Sequence, residues 1–216
     1  MASRRFTKVT GLTSFTLLFE VLSYEAAIGR VITMYRDNSL IPKEAIRMAA
    51  LGALIRGERS YQNISAEVRQ FSARIMGPSL DLMGTSIELL KLEGLIEAIE
   101  KRDDNGEELL QLTPTGIVEL KEYLKSTIRS GGSDLNKLVV ALKLRFIEFL
   151  EPLERLEQLI SLKTMYQSEK NRLLDLVQHK EWSGGLLPQL LELELGVAEK
   201  RIVWCDEQIE KTQNFV

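Results

Sequence analysis

A mainly α-helical chain, interrupted once by a β-hairpin, is what this sequence predicts, on three observations. Helical spacing of apolar residues recurs over most of its length. The stretch "LIEAIEKRDDNGEELLQLT" (95–113) reads instead as two strands about an Asn105-Gly106 turn. Three helical patterns precede that hairpin, one follows it, and long amphipathic helices then run to the end.

Residues 1–41 read as an extension with a basic start and one helix, with Thr13 or Ser14 as its cap and Phe15, Leu18, Leu22 and Ile32 at helical spacing. Pro42 opens the next helix, "PKEAIRMAALGALIRG", with Ile46, Ala50 and Leu54 inward and Gly57 as the stop. A second, "NISAEVRQFSARI", is expected to be capped at Asn63 or Ser65 and buried through Ile64, Val68 and Phe71. Gly77-Pro78 breaks it. The third, "SLDLMGTSIELLKLEG", stacks Met83, Ile87 and Leu90 and turns Thr85, Ser86, Glu88 and Lys91 to solvent. After the hairpin, Thr113 caps a helix that starts at Pro114, with Ile117, Leu120 and Leu124 inward.

Ser130-Gly131-Gly132-Ser133 is the one linker-like stretch. Beyond it, "DLNKLVVALKLRFIEFL" spaces Leu138, Leu142 and Phe149 like a coiled-coil seam. Pro152 starts a long helix to about Gln178, and Ser183-Gly184-Gly185 turns the chain into a last one. That helix carries the apolar stripe Leu190, Leu193, Val197 and Trp204, too apolar for a solvated surface. The expected domains are an extension (1–41), a helix-and-hairpin domain (42–128) and a helical dimerisation domain (134–216).

Composition narrows the chemistry. The chain has 216 residues, 44% hydrophobic, enough for one sizeable core or two modest domains. With 28 Lys and Arg against 31 Asp and Glu, the net charge of −3 gives no global sign of a polyanion partner. One cysteine and one histidine, Cys205 and His179, exclude a disulfide framework, a His/Cys metal cluster and a Cys-His nucleophile pair. Cys205 reads as a small buried hydrophobe, and His179 as a helix-end residue. No glycine-rich phosphate loop is present. An enzyme reading has no anchor, and no cofactor or metal is expected. The most apolar early stretch is broken by Glu20, Glu25 and Arg30, so no membrane span is expected. A cytoplasmic, bacterial protein is the expectation.

Three helices followed by a hairpin are the parts of a winged helix-turn-helix, whose third helix fits a DNA major groove. At this point the chain resembles the PadR family of bacterial transcription regulators. "IRMAALGALIRGERSYQNISAEV" is similar to the family's opening helix and its aromatic turn, with Tyr61 as the aromatic. "SIELLKLEGLIEA" resembles the end of the recognition helix and its Gly-Leu-Ile exit, and "LQLTPTGIVEL" the Leu-Thr-x-x-Gly signature after the second wing strand. "LKLRFIEFLEPLERLEQL" and "AEKRIVWCDEQIEK" resemble the dimerisation helices, with Trp204 at the usual tryptophan position. The resemblance spans roughly residues 42–213.

It implies a homodimer on double-stranded operator DNA, acting as a repressor. Ser79, Thr85, Ser86 and Lys91 are the candidates to face bases or phosphates, with Arg69, Gln70 and Arg74 on the preceding helix as backbone anchors. It also allows Trp182 and Trp204 to line a cavity for a planar effector, although packing is the plainer reading of a helix tryptophan. Two departures stand out. The family's mid-helix Tyr-Pro pair is "MGTSIE" here, and residues 97–108 hold six acids against two bases. An acidic wing repels duplex DNA, so a protein-interaction adaptor without DNA binding is the alternative, its partner docking at the wing. Arg4, Arg5 and Lys8 could serve as a groove-binding arm, but an ordinary solvated terminus is the plainer reading.

Overall fold

The computed structural model describes residues 39–77, 84–128, 133–179 and 184–214, with the side chains of 84–86 set aside. The expected N-terminal helix lies outside the described residues.

Helix α1 (Pro42–Leu54) starts on Pro42, and Glu44 reaches back to accept from the Ile41 N–H at 2.9 Å. Every residue from Ala45 to Leu54 is buried. α1 is therefore the central rod of the core, not a helix with a single inward stripe.

A short strand, β1 (Arg59–Ser60), follows. Two residues are too few for alternation to show in a sequence. Because β1 holds Ser60 extended, α2 (Tyr61–Met76) starts directly after it, ahead of the expected caps at Asn63 or Ser65. Ile64 and Val68 are buried as expected. In α3 (Gly84–Leu92), Ile87 and Leu90 are buried while Glu88 and Lys91 face solvent.

β2 (Ile96–Arg102) and β3 (Glu108–Leu112) form the hairpin, and β1 adds to β3, giving an antiparallel sheet in the order β1-β3-β2. Leu110 stands opposite Arg59 on one side and Ala98 on the other, and the register shifts between Ala98 and Arg102. Gly106, at φ +80°, sits in the tip as its turn signal requires. The loop is nevertheless wider than a two-residue turn. The Asp103 N–H donates to the Glu107 carbonyl at 2.9 Å, and the Asp103 carboxylate accepts from the N–H groups of Asn105 (3.0 Å) and Glu107 (2.9 Å).

α4 (Pro114–Lys125) starts as expected. Thr113 Oγ1 accepts from the Gly116 N–H at 3.0 Å and donates to the Gly94 carbonyl at 2.7 Å. Gly116 lies so close to the α3–β2 junction that a Cβ there would stand 2.0 Å from the Leu95 carbonyl oxygen. That approach turns Gly116, Leu120, Tyr123 and Leu124 inward. Ile117, expected inside, is 39% exposed.

α5 (Asp134–Phe146) is capped by Ser133, whose Oγ accepts from the Asn136 N–H at 3.2 Å, and ends in a 3-10 turn, Ile147–Phe149. Leu138, Val139, Leu142 and Phe146 join the core of α1, α2 and α4. Gly52 makes room for this, because a Cβ there would lie 2.3 Å from the Phe146 ring. Leu138 and Leu142 are thus core residues of the protomer, contrary to their expected place in a dimer seam. An amphipathic helix shows the same stripe whether it faces its own core or a partner.

α6 (Pro152–Gln178) and α7 (Leu187–Gln213) pack on each other. They run antiparallel, since Lys163 pairs with Asp206 and Lys170, further along α6, with Glu199, further back on α7. Cys205 is fully buried between them, and burial pushes its thiol up to about 11.

Candidate nucleic-acid interface

α1–β1–α2–α3 followed by the β2–β3 wing is a winged helix-turn-helix, which makes α2, α3 and the wing the candidate duplex-facing surface among the described residues. Its electrostatics depend on which basic groups remain available. Most do not.

Arg47 is buried in α1. It donates through Nε to the Tyr123 hydroxyl at 2.9 Å and forks onto the Glu93 carboxylate, through Nη1 at 2.9 Å and through Nη2. The guanidinium holds the Glu93 carboxyl below its usual range, and burial pushes the Tyr123 phenol up. This pair ties the end of α3 to α1 and α4. Arg59 donates to Glu67 at 2.5 Å, Lys101 to Glu58 at 3.0 Å, and Arg102 to the Gly106 carbonyl at 2.7 Å. Lys91, a candidate contact on α3, lies 2.9 Å from Glu108 of the wing.

On α2, Arg69, Gln70 and Arg74 are all exposed, and neither arginine is ion-paired to a described residue. Arg74 Nη1 only returns to the Gln70 carbonyl of its own helix at 3.0 Å. Ser79 and the side chains of Thr85 and Ser86 lie outside what is described. Arg69, Gln70 and Arg74 thus all lie on the exposed surface of α2. The structure also assigns Lys91 a partner that no sequence pattern signalled.

The acids of the wing also divide. Asp103 is committed to the tip loop, where the backbone N–H groups hold its carboxyl below the usual range. Glu97 accepts from Gln111 Nε2 at 2.8 Å. Glu100 and Asp104 are exposed. Between the wing, α3 and the start of α2 lies an open groove of about 550 Å³, lined by Tyr61, Ile87, Leu92, Ile96 and Leu110 with Glu107 and Glu108 at its rim.

Of the remaining expected contacts, Leu190 and Leu193 are exposed, Trp204 is 40% exposed, and Val197 is half-buried. Phe149 packs against the core. A groove of about 320 Å³ between α5, α6 and α7 is lined by Val140, Leu144, Met165, Tyr166 and Arg201, without Trp204. Trp182 lies outside the described residues. Among the described residues, no three His, Cys, Asp or Glu side chains converge as a metal site, and no helix is long and apolar enough to cross a membrane.

The family model described as "Putative AphA-like transcriptional regulator" matches residues 35–209. No curated protein matches the chain. Among solved structures, it is similar to Bacillus subtilis PadR, at 18% identity and a TM-score of 0.35, over 81% of this chain and 98% of that one. The same protein solved with operator DNA gives 18% and 0.32 over 77% and 98%, and solved with p-coumaric acid 17% and 0.32 over 78% and 99%. A PadR-like transcriptional regulator from Bacillus cereus gives 12% and 0.32, over 79% and 99%. The long family match sets the assignment: this chain belongs to the AphA-like transcriptional regulators.

Proposed function

We propose that this chain is a homodimeric, DNA-binding transcriptional repressor. It places α3 in the major groove and anchors α2 on the flanking phosphates through Arg69 and Arg74. The observation that carries this reading is that these two exposed arginines have no ion-pair partner among the described residues, whereas Arg47, Arg59, Lys91 and Lys101 do. A winged helix needs phosphate contacts for affinity, and these groups can make them without breaking an ion pair to any described residue.

The dimer follows from two uncovered stripes. Leu153, Ile160 and Leu174 fall at heptad spacing on α6, and Leu190, Leu193 and Trp204 do so on α7. Leu193 is 62% exposed, and apolar stripes of this length mark an interface. A two-fold dimer would set the two α3 helices about one DNA turn apart, roughly 34 Å.

The test is fluorescence polarisation of full-length protein on genomic promoter fragments across a salt series. Arg69→Ala with Arg74→Ala should weaken binding and flatten the salt dependence by about one unit of slope per lost phosphate contact. The exposed acids of the wing favour a second reading, an adaptor that docks a basic protein. Under it, duplex affinity would be negligible in wild type and variant alike.

A further inference from the structure

Besides its apolar packing on α5, α2 is held from the C-terminal half of the chain by a polar and aromatic cluster. Glu67, on the inner side of α2, accepts from Arg59 of β1 at 2.5 Å and from Arg145 of α5. The Arg145 guanidinium also lies over the Phe71 ring of α2, 4.7 Å from its centroid, and 5.2 Å from that of Phe146. From the far side, Arg56 donates to the Arg145 carbonyl at 3.2 Å and stands 5.4 Å over Phe146. Arg145 and Glu67 are both largely buried, at 24% and 22% side-chain exposure. A planar fork that pairs with a carboxylate and stacks on a ring fixes both distance and angle, which a flexible ammonium does not.

We propose that Arg145 is a positioning residue that locks the angle of α2 to α5 and thereby determines which half-site spacing the dimer accepts. This rests on the dimeric DNA-binding reading above. A dimer reads spacing only if each reading head is rigid with respect to the dimer frame. The Glu67–Arg145–Phe71 cluster is the directional part of the contact between α2, the helix bearing Arg69 and Arg74, and the helix that leads into α6 and α7.

The test uses full-length protein and duplexes that it enriches from a random pool. Each duplex is then remade with one or two base pairs inserted between the half-sites, and as a single half-site. An insertion rotates one half-site by about 35° per base pair. Wild type should lose at least about tenfold in affinity on the two-base-pair insertion. Arg145→Met should shrink that loss to within about threefold while leaving single half-site affinity within about twofold of wild type. Arg145→Lys should fall between, and Glu67→Gln should match Arg145→Met without adding to it in the double variant. Glu67→Gln serves as the deciding variant if Arg145→Met does not fold. Undiminished spacing discrimination in the variants overturns the inference. An equal loss on the single half-site overturns it too, because that is the mark of a general structural defect. If wild type enriches no duplex, the DNA-binding reading itself fails, and this inference falls with it.

Discussion

Lys91 Nζ lies 2.9 Å from Glu108 Oε2, so the last turn of α3 is tied to the wing by one of the wing's own acids. The pair is half-exposed at both ends, and such pairs contribute at most about 1 kcal/mol to stability. In the proposed DNA-bound state its larger effect is electrostatic, since Glu108 offsets the charge that Lys91 presents to a phosphate. Glu108→Gln should leave the melting temperature nearly unchanged, tighten duplex binding, and steepen the salt slope by about one unit. Weaker binding by this variant would contradict the geometry.

Asp103 should behave differently from its acidic neighbours. Amide substitution of Asp104 removes only surface charge. Asp103→Asn weakens the two backbone hydrogen bonds that shape the tip and should lower stability. Denaturant midpoints of the two single variants should separate accordingly; equal midpoints would mean that the loop does not depend on its aspartate.

The Leu-Thr-x-x-Gly signature has a steric origin that can be tested directly. Gly116→Ala drives a methyl group into the Leu95 carbonyl and should destabilise by about 3 kcal/mol, more than the roughly 1 kcal/mol of Thr113→Ala. The reverse order in chemical denaturation would show that the cap, not the close approach, explains the motif.

Lys143 makes stability depend on pH. Its ammonium donates to the Leu124 carbonyl at 2.6 Å, to the Ser126 carbonyl, and to Gln158 Oε1 at 2.9 Å, with no carboxylate partner among the described residues. Burial pushes it down to about 7, whereas an unfolded lysine titrates near about 10.4. Below pH 7 both states are protonated and the contribution is constant. Between about pH 7 and 10 the unfolded chain holds the extra proton, so native stability rises with pH, by up to about 1.4 kcal/mol per unit. The stability difference between wild type and Lys143→Met should therefore move in favour of wild type from pH 6 to pH 9. A difference that is flat across that range would contradict the assignment.

The stripe on α7 predicts assembly. Full-length protein should sediment as a dimer at micromolar concentration, and Leu193→Glu with Trp204→Glu should yield a folded monomer, because both side chains are exposed within one protomer. A wild-type monomer would end the dimer reading.

Much of this was readable from residue patterns, and the failures share a cause. Caps and breakers such as Thr113-Pro114 and Pro152 act locally, so the helix starts that they specify were legible. What depends on tertiary contact was not. β1 exists only because β3 is there to pair with it. Ile117 faces out because Gly116 meets Leu95. Leu138 and Leu142 carry a seam-like spacing that says nothing about whose surface fills it. In the candidate site, the exposed arginines on α2 followed from helical phase, but the capture of Lys91 by Glu108 spans 17 positions that no local pattern links.

Phe146 seated against Gly52 has a consequence for how such regulators can be rebuilt. The helix that opens the C-terminal half completes the folding unit of the DNA-reading half, so that half is not a detachable cassette. A graft that exchanges sensing or assembly modules needs its joint after Leu150, where the shared core ends. A cut at the linker-like serines and glycines, the joint that the sequence invites, would strip Leu138, Leu142 and Phe146 from the recipient and leave a head that aggregates before it can be assayed.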